Sequence, residues 1–263
     1  MRWSCCVSVI DANLKAAHPE RCSSVLVTGA ASRIGRSIAI GMHADGANVA
    51  VHYNKSDAEA RDLVLDMNRR RAGSAVSIQA DLRGGECERI IDQVVDFFGG
   101  LDVLVNNASV FLKDGESFSD SLSEENYRVN FLAPYFLSKS AVSSLVLSSG
   151  CIVNIADING DYPLEGYSLY SASKAALLNL TRSMAAEFSP FVRVNAVSPG
   201  AICWPVNSSA LSEVQRKNII GHSLLKREGS PWDVYKAVRY LAFDAPYVTG
   251  SVINVDGGRM ARM

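Results

Sequence analysis

The sequence predicts an α/β protein in which helices cover both faces of a single parallel, doubly wound sheet. Seven short runs rich in valine, isoleucine and leucine alternate with longer amphipathic stretches from residue 24 onward. The apolar runs are nearly continuous, as expected for strands buried on both faces, and strand–helix alternation builds parallel sheets. The 263 residues, 48% of them hydrophobic, suffice for one such domain with a large core.

Each predicted strand is an apolar run bounded by glycine or polar residues. In chain order the strands are SVLVTG (24–29), NVAVHY (48–53), AVSIQAD (75–81), LDVLVNN (101–107), GCIVNIA (150–156), FVRVNAVSPG (191–200) and SVINVDGG (251–258). The predicted helices lie between them and have apolar residues at helical spacing: 33–45, 57–71, 86–98, 121–147, 167–188 and 231–243. No repeat or linker divides the chain, so we expect one domain over 23–263, preceded by a loose N-terminal extension over 1–22.

Composition excludes several classes of function. The 26 basic and 27 acidic residues leave a net charge of -1, which argues against nucleic acid or an anionic membrane surface as partner. No apolar run approaches the length of a membrane-spanning helix, and Asp11 interrupts the short apolar stretch near the N-terminus, so no signal peptide is expected. Six scattered cysteines and four dispersed histidines indicate reduced thiols in a cytoplasmic protein without a metal site.

The stretch SVLVTGAASRIG (24–35) predicts a strand, a tight turn and the start of a helix. In this setting glycines let the backbone approach a pyrophosphate at a helix N-terminus. Gly29 and Gly35 fit the first and last glycine roles, whereas Arg33 occupies the slot of a middle glycine. Many strand–helix turns carry glycine for conformational reasons alone, so an exposed arginine on an ordinary turn is the alternative.

The end of the second strand indicates which dinucleotide would bind. NAD-preferring sheets place an acidic residue there for the adenosine ribose hydroxyls. This chain has HYNKS (52–56), in which Lys55 and neighbouring hydroxyls suit a 2′-phosphate, so NADPH is favoured over NADH. A solvated loop lysine is the alternative. The following strand ends in Asp81 and Leu82, where the adenine edge would lie.

YSASK places Tyr170 and Lys174 four residues apart on one face of a predicted helix. A nearby ammonium favours the phenolate, which suits an acid–base catalyst, although an ordinary amphipathic helix has the same pattern. NNA (106–108) and PG (199–200) end two other strands, where strand termini converge on a cofactor.

In this order, TGAASRIG, NNAS, YSASK, SPGAI and VTGSVINVDGG resemble the short-chain dehydrogenase/reductase family over residues 24 to 259. The resemblance implies a Rossmann-type domain that assembles as a homotetramer. It implies that Tyr170 is the proton donor and that Lys174 binds the nicotinamide ribose. It also implies that Asn130, in YRVNF, helps to hold a proton-relay water.

Two departures from the common family pattern resemble the pteridine reductase branch. Asp157 stands thirteen residues before Tyr170, where most members have serine, and Arg33 stands in the glycine turn. A carboxylate is a poor neighbour for the alkoxide that develops from a ketone, but it suits a ring that donates hydrogen bonds or takes a proton on nitrogen. The runs HYNKS, NNASVF and SPGAICWP are similar to that branch as well.

The resemblance implies substrate contacts in addition to cofactor contacts. Phe111 would stack on a pterin, and the other residues expected to bind substrate are Arg33, Ser109, Asp157, Tyr167, Tyr170 and Trp204. Core packing is the alternative for Phe111 and Trp204, and packing at the helix N-terminus for Tyr167. The residues expected to bind the cofactor are Gly29, Ser32, Arg33, Ile34, Gly35, His52, Tyr53, Asn54, Lys55, Ser56, Asp81, Leu82, Asn107, Ala108, Tyr170, Lys174, Pro199 and Gly200.

The function expected from this resemblance is NADPH-dependent reduction of a 7,8-dihydropterin, such as dihydrobiopterin or dihydromonapterin, to the tetrahydro form, with dihydrofolate as a further candidate. Asp157, Tyr170 and Lys174 would manage the proton; Asp157 raises the tyrosine pKa and Lys174 lowers it, so the sequence leaves the net shift open. A reductase of ketones or 3-oxoacyl thioesters is the first alternative. A non-catalytic NADPH-binding sensor is the second, and the presence of both Tyr170 and Lys174 counts against it.

Overall fold

A computed structural model shows that the seven predicted strands form one parallel sheet. The structure describes residues 22–114, 120–202 and 213–262. The strands are β1 Ser24–Val27, β2 Asn48–Tyr53, β3 Ala75–Gln79, β4 Val103–Asn106, β5 Cys151–Ile155, β6 Arg193–Pro199 and β7 Val252–Val255. Their order across the sheet is β3-β2-β1-β4-β5-β6-β7, and every neighbouring pair is parallel. This confirms the predicted doubly wound, Rossmann-type fold.

Helices pack on both faces of the sheet. They are α1 Arg33–Ala44, α2 Asp57–Arg70, α3 Cys87–Phe98, α4 Asp120–Tyr127, α5 Ala133–Ser148, α6 Ser168–Phe188, α7 Glu213–His222 and α8 Pro231–Arg239. Side chains of α1, α2 and α8 join one core cluster, and side chains of α3, α5 and α6 join the other. Within β1, Val25 and Val27 face the first cluster and Leu26 faces the second, as the alternation of side chains along a strand requires.

The predicted helix over 121–147 is not a single α-helix. A π-helical turn, Arg128–Leu132, separates α4 from α5 and contains Asn130. A second π-helical turn, Tyr240–Asp244, follows α8, so the predicted helix over 231–243 is also α-helical only in its first part. Periodicity near 3.6 residues cannot resolve a local widening of one turn, and such widenings are frequent at functional sites.

Helix α7 was not predicted from the sequence. Its residues, EVQRKNIIGH, contain few apolar side chains and therefore show little amphipathic periodicity. The predicted extension over 1–22 lies outside the described residues except for Cys22, as does Trp204.

One helical stretch, residues 124–148, is long and apolar enough to cross a membrane by length and composition alone, which the sequence analysis did not anticipate. Core helices of soluble proteins meet the same criterion. In this fold Leu137, Ala141 and Leu145 of α5 are buried against the second core cluster.

Candidate active site

The carboxyl ends of β1 and β4 form a cradle at the point where the strand order reverses. Gly29 follows β1 with a φ of +62°, a left-handed conformation that suits glycine. A Cβ atom on Gly29 would lie 3.0 Å from the Cα atom of Ala108, and one on Gly35 would lie 2.4 Å from the side-chain nitrogen of Asn107. Asn107 donates hydrogen bonds from that nitrogen to the carbonyl oxygens of Thr28 and Gly29, at 2.8 and 3.2 Å. The two glycines therefore let the turn pack closely against the segment after β4, which is the close approach of turn, strand and helix found in pyrophosphate-binding turns.

Arg33 is the first residue of α1 and adopts a φ of +51°, a conformation more usual for glycine. Its side chain is exposed beside the extended N-cap residue Ser32, while Ile34 is partly buried against the first core cluster. Burial raises the pKa of Tyr170 well above its usual value, and the positive charge of Arg33 acts in the opposite direction. The positive charge of Arg33 thus acts on Tyr170, and the role of Arg33 towards a substrate stays a prediction.

A cleft of about 330 Å³ extends from the glycine turn along the end of β2. Lys55 lines it together with three residues that were not predicted from the sequence, Ala31, Arg83 and Glu125. Arg83 directly follows Asp81 and Leu82, so its position after β3 could have indicated that it lines the cleft. Nothing in the local sequence indicates the same for Glu125. The predicted residues that also line the cleft are Gly29, Ser32, Tyr53, Asn54 and Ser56. The cleft thus has two cations, Lys55 and Arg83, and one carboxylate, Glu125, beside the glycine turn.

Ion pairs of Arg83, shortly after β3, hold one side of this cleft together. The guanidinium of Arg83 contacts the Asp81 carboxylate at 2.6 Å and the Glu125 carboxylate at 3.4 Å. Its hydrogen bonds lower the pKa of Asp81 below the usual range. Leu82 is buried in the second core cluster, so its side chain contributes packing at this edge.

His52 lies beneath the glycine turn, almost fully buried. Its Nδ1 atom accepts a hydrogen bond from the Gly29 amide at 3.2 Å, and its Nε2 atom lies 3.2 Å from the Ala80 carbonyl oxygen. Burial lowers the pKa of His52 to about 4, so the ring is neutral near neutral pH. The side chain therefore braces the turn from below and links it to β3.

Tyr170 and Asp157 form the centre of the site. The Tyr170 hydroxyl donates a hydrogen bond to the Asp157 carboxylate at 2.7 Å, and the Asn159 amide donates to the same carboxylate at 2.8 Å. Lys174 is buried one turn along α6, where its ammonium donates to the Ile155 carbonyl oxygen at 3.0 Å. The Lys174 nitrogen lies 5.8 Å from the centre of the Tyr170 ring. The structure thus brings together the three residues expected to manage the proton.

Burial and the Asp157 charge decide the protonation state of Tyr170. Burial raises the pKa of the hydroxyl, and the negative charge of Asp157 raises it further. Burial also raises the pKa of Asp157 and lowers the pKa of Lys174 to about 8. The tyrosine is therefore a neutral hydroxyl donor rather than a phenolate, which settles the direction of the shift that the sequence left open.

Asn130 connects the loop after β4 to helix α6. Its carbonyl oxygen accepts hydrogen bonds from the Ser109 hydroxyl at 3.0 Å and the Val110 amide at 2.9 Å. Its amide nitrogen donates to the Val110 carbonyl oxygen and the Ser173 hydroxyl, both at 3.0 Å. This bracing role was not predicted, and the relay water that the resemblance implies stays a prediction.

Phe111 and Tyr167 stack beside Tyr170. Their ring centres are 4.3 Å apart with an angle of 15° between the ring planes, and the Tyr170 ring meets Phe111 edge-on at 4.7 Å. Phe111 remains 43% exposed, which argues against the alternative that it is a core residue. The stacked pair forms an aromatic platform next to the reacting hydroxyl.

Pro199 and Gly200 end β6 on the same edge of the sheet. The Gly200 amide donates to the Val255 carbonyl oxygen at 3.0 Å, and a Cβ atom on Gly200 would lie 2.8 Å from Asp256. These contacts fix the end of β6 against the C-terminal segment. Within 22–114, 120–202 and 213–262 no group of three histidine, cysteine or acidic residues could hold a metal ion.

Comparison with known proteins assigns the family. The family model described as enoyl-(acyl carrier protein) reductase matches residues 29–259. Pteridine reductase 1 from Leishmania tarentolae is 36% identical over 276 aligned residues, which cover 89% of this chain and 94% of that protein. The chain belongs to the short-chain dehydrogenase/reductase family. It is an oxidoreductase, and its family uses nicotinamide dinucleotides as cofactors.

Relatives named for another activity are equally similar. A 3-oxoacyl-(acyl-carrier-protein) reductase from Staphylococcus epidermidis is 36% identical, covering 89% of this chain and 98% of its own length. An oxidoreductase from Thermotoga maritima is 35% identical, covering 90% and 97%. Overall sequence identity therefore does not indicate which substrate this chain reduces. The substrate has to be inferred from particular residues of the site.

Proposed function

We propose that this short-chain reductase uses NADPH to reduce a dihydropterin to its tetrahydro form. The observation that carries the proposal is the 2.7 Å hydrogen bond from Tyr170 to Asp157. A buried carboxylate at this position repels the alkoxide that would develop from a ketone. A pterin ring instead offers N–H donors to a carboxylate and needs a proton on a ring nitrogen, which this pair can supply.

The residues of the chain would divide the work of proton transfer. When bound, the cofactor supplies the hydride that reaches C6 of the pterin. Tyr170 holds the proton because burial and the Asp157 charge keep its pKa high. Asp157 orients that hydroxyl. Lys174, on the same helix as Tyr170, adds positive charge nearby, and among the described residues its ammonium bonds to the Ile155 carbonyl oxygen rather than to the tyrosine. A donor hydroxyl placed by a buried partner suits general acid catalysis.

The aromatic platform and Arg33 favour a flat, polar substrate. The pair Phe111–Tyr167 presents an exposed phenylalanine face beside Tyr170, and heteroaromatic rings stack favourably on such faces. Arg33 carries a forked donor group that matches the carbonyl edge of a pterin. A 3-oxoacyl chain would use neither feature.

Two cations support NADPH over NADH. Lys55 and Arg83 both line the cleft at the end of β2, where the adenosine ribose would lie, and Arg83 offsets the charges of Asp81 and Glu125. A 2′-phosphate would find charge-assisted donors there. We also propose the homotetramer of the family, which would cover exposed apolar side chains of α5 such as Phe136 and Leu147.

A reductase of 3-oxoacyl thioesters is the second candidate, because relatives named for that activity are as similar as the pteridine reductase. Purified protein should be assayed by the loss of NADPH absorbance with dihydrobiopterin, dihydromonapterin, dihydrofolate, a 3-oxoacyl thioester and a simple ketone. The pterins should be reduced, and Asp157→Ser should lower their turnover. Reduction of the thioester alone by the parent enzyme, or parental pterin turnover in Asp157→Ser, would overturn the proposal.

A further inference from the structure

The catalytic helix α6 begins without a capping side chain from its own neighbourhood. Its N-cap residue, Tyr167, makes no side-chain hydrogen bond to the free amides of the first turn. These amides need partners, because the first N–H groups of a helix have none within it. The partner comes from the loop after β4: Asp114 accepts a hydrogen bond from the Ser168 amide at 2.7 Å and from the Leu169 amide at 3.3 Å.

Asp114 also engages the segment just before the helix. Its own backbone amide donates to the Gly166 carbonyl oxygen at 2.8 Å. These hydrogen bonds, that of Ser168 first, lower the pKa of the Asp114 carboxyl, so the group is ionised at neutral pH and suits the positive end of the helix dipole. Three hydrogen bonds thus join residue 114 to a segment more than fifty positions further along the chain.

We infer that Asp114 is a positioning residue that latches the loop 109–114 onto the catalytic helix and so fixes where Phe111 meets the substrate. The loop is held at its start by Asn130, which bonds both Ser109 and Val110. Asp114 holds its far end. Phe111 lies between these two anchors, so its ring is fixed only while both are in place.

The consequence of the latch is geometric. Phe111 contacts the Tyr167 ring at 4.3 Å and the Tyr170 ring at 4.7 Å, and both partners lie at the start of α6. Loss of the Asp114 hydrogen bonds would free the loop 109–114 from the start of α6. Phe111 would then no longer keep a fixed position relative to the Tyr170 hydroxyl. Gly29 and Lys55 line the cofactor cleft on the other side, and Asp114 is not among the residues of that cleft. The latch should therefore act on the substrate and leave cofactor binding unchanged.

The inference rests on the proposed function only in taking Phe111 as the surface on which the substrate stacks. Its test compares Asp114→Ala, Asp114→Asn and the control Asp161→Ala. Asp161 is an exposed acid on the connection before α6, and its side chain makes no hydrogen bond to the described residues. Steady-state kinetics should use whichever substrate the parent enzyme reduces, and hydrogen–deuterium exchange should follow the amides of 109–112 and 168–169 without substrate.

We expect Asp114→Ala to lower kcat/KM by roughly 10- to 100-fold, mainly through KM, because displacement of a positioning surface by about 1 Å has effects of this size. Asp114→Asn keeps an acceptor oxygen and should fall between Asp114→Ala and the parent. The Kd for NADPH should not change, and exchange should quicken at both amide segments in Asp114→Ala alone. Unchanged kinetics in Asp114→Ala, unchanged exchange, or an equal loss in Asp161→Ala would overturn the latch.

The two proposals fail in distinguishable ways. If the parent enzyme reduces the thioester and no pterin, the proposed function is wrong, and the exchange data, which need no substrate, still decide whether Asp114 holds the loop to α6. If pterins are reduced and Asp114→Ala behaves like the parent enzyme, the latch is wrong and the proposed function stands.

Discussion

Arg33→Gly should separate the stability of the glycine turn from the use of substrate. Arg33 holds a φ of +51°, and a left-handed conformation costs an L-residue about 1–2 kcal/mol. Glycine adopts that conformation without strain but loses about 0.5–1 kcal/mol more chain entropy on folding. The free energy of unfolding of Arg33→Gly should therefore equal that of the parent or exceed it by about 1 kcal/mol.

The catalytic efficiency of Arg33→Gly should fall while its stability is kept or increased. A charge-assisted hydrogen bond is worth about 1.5–3 kcal/mol, which corresponds to roughly a 10- to 150-fold loss in kcat/KM for the pterin. Loss of the Arg33 charge also removes an influence that lowers the pKa of Tyr170, so the hydroxyl becomes a weaker acid. A more stable but less active enzyme is the expected result.

The assay pairs urea unfolding with titration of NADPH, and then of pterin at saturating NADPH. Arg33→Lys keeps the charge and loses the planar fork, so it should restore cofactor binding better than pterin turnover. Arg36→Ala is the matched control, because Arg36 lies on the same helix and its side chain bonds to the Glu59 carbonyl oxygen. Parental kcat/KM in Arg33→Gly would refute the assignment of Arg33 to the substrate.

Three further predictions test the catalytic hydroxyl, the cofactor cleft and the buried histidine. Tyr170→Phe removes the donor while keeping the ring, so turnover should fall by about two orders of magnitude or more while the Kd for NADPH is unchanged; substantial turnover would exclude the tyrosine as the acid. Lys55→Ala should weaken NADPH roughly 10- to 100-fold and barely affect NADH, as fluorescence titration can measure, because only NADPH carries the 2′-phosphate; equal losses for both would contradict the assignment. The folded pKa of His52 is about 4 against 6.5 for the free side chain, so the unfolded chain binds the extra proton first as pH falls. Its contribution to stability is complete above pH 6.5, and about 3 kcal/mol is lost by pH 4. Urea unfolding between these pH values should show a shallower decline for His52→Asn, and identical slopes would refute the linkage.

The sequence pointed to Phe111 and Tyr167 through the family resemblance, but the anchors around them could not have been read from it. Asp114 and Ser168 are 54 positions apart, and an acid in a loop carries no mark of the helix that it caps. Asn130 was assigned through a family motif, but its hydrogen bonds to the loop at 109–110 depend on a π-helical turn that periodicity does not resolve. Arg83 and Glu125 are 42 positions apart and meet at the cleft only in the folded chain.

The sequence by itself determined the number of strands and their parallel arrangement, the glycine turn and the pair Tyr170–Lys174. These features depend on local periodicity and short motifs, whose physical requirements are met within a few residues. Only the tertiary structure decided the protonation of Tyr170, because burial and the 2.7 Å approach of Asp157 set its pKa, and neither burial nor distance is local. It likewise decided that His52 supports the turn from within, since a histidine at the end of a strand becomes a buried brace only when β1 and β3 enclose it.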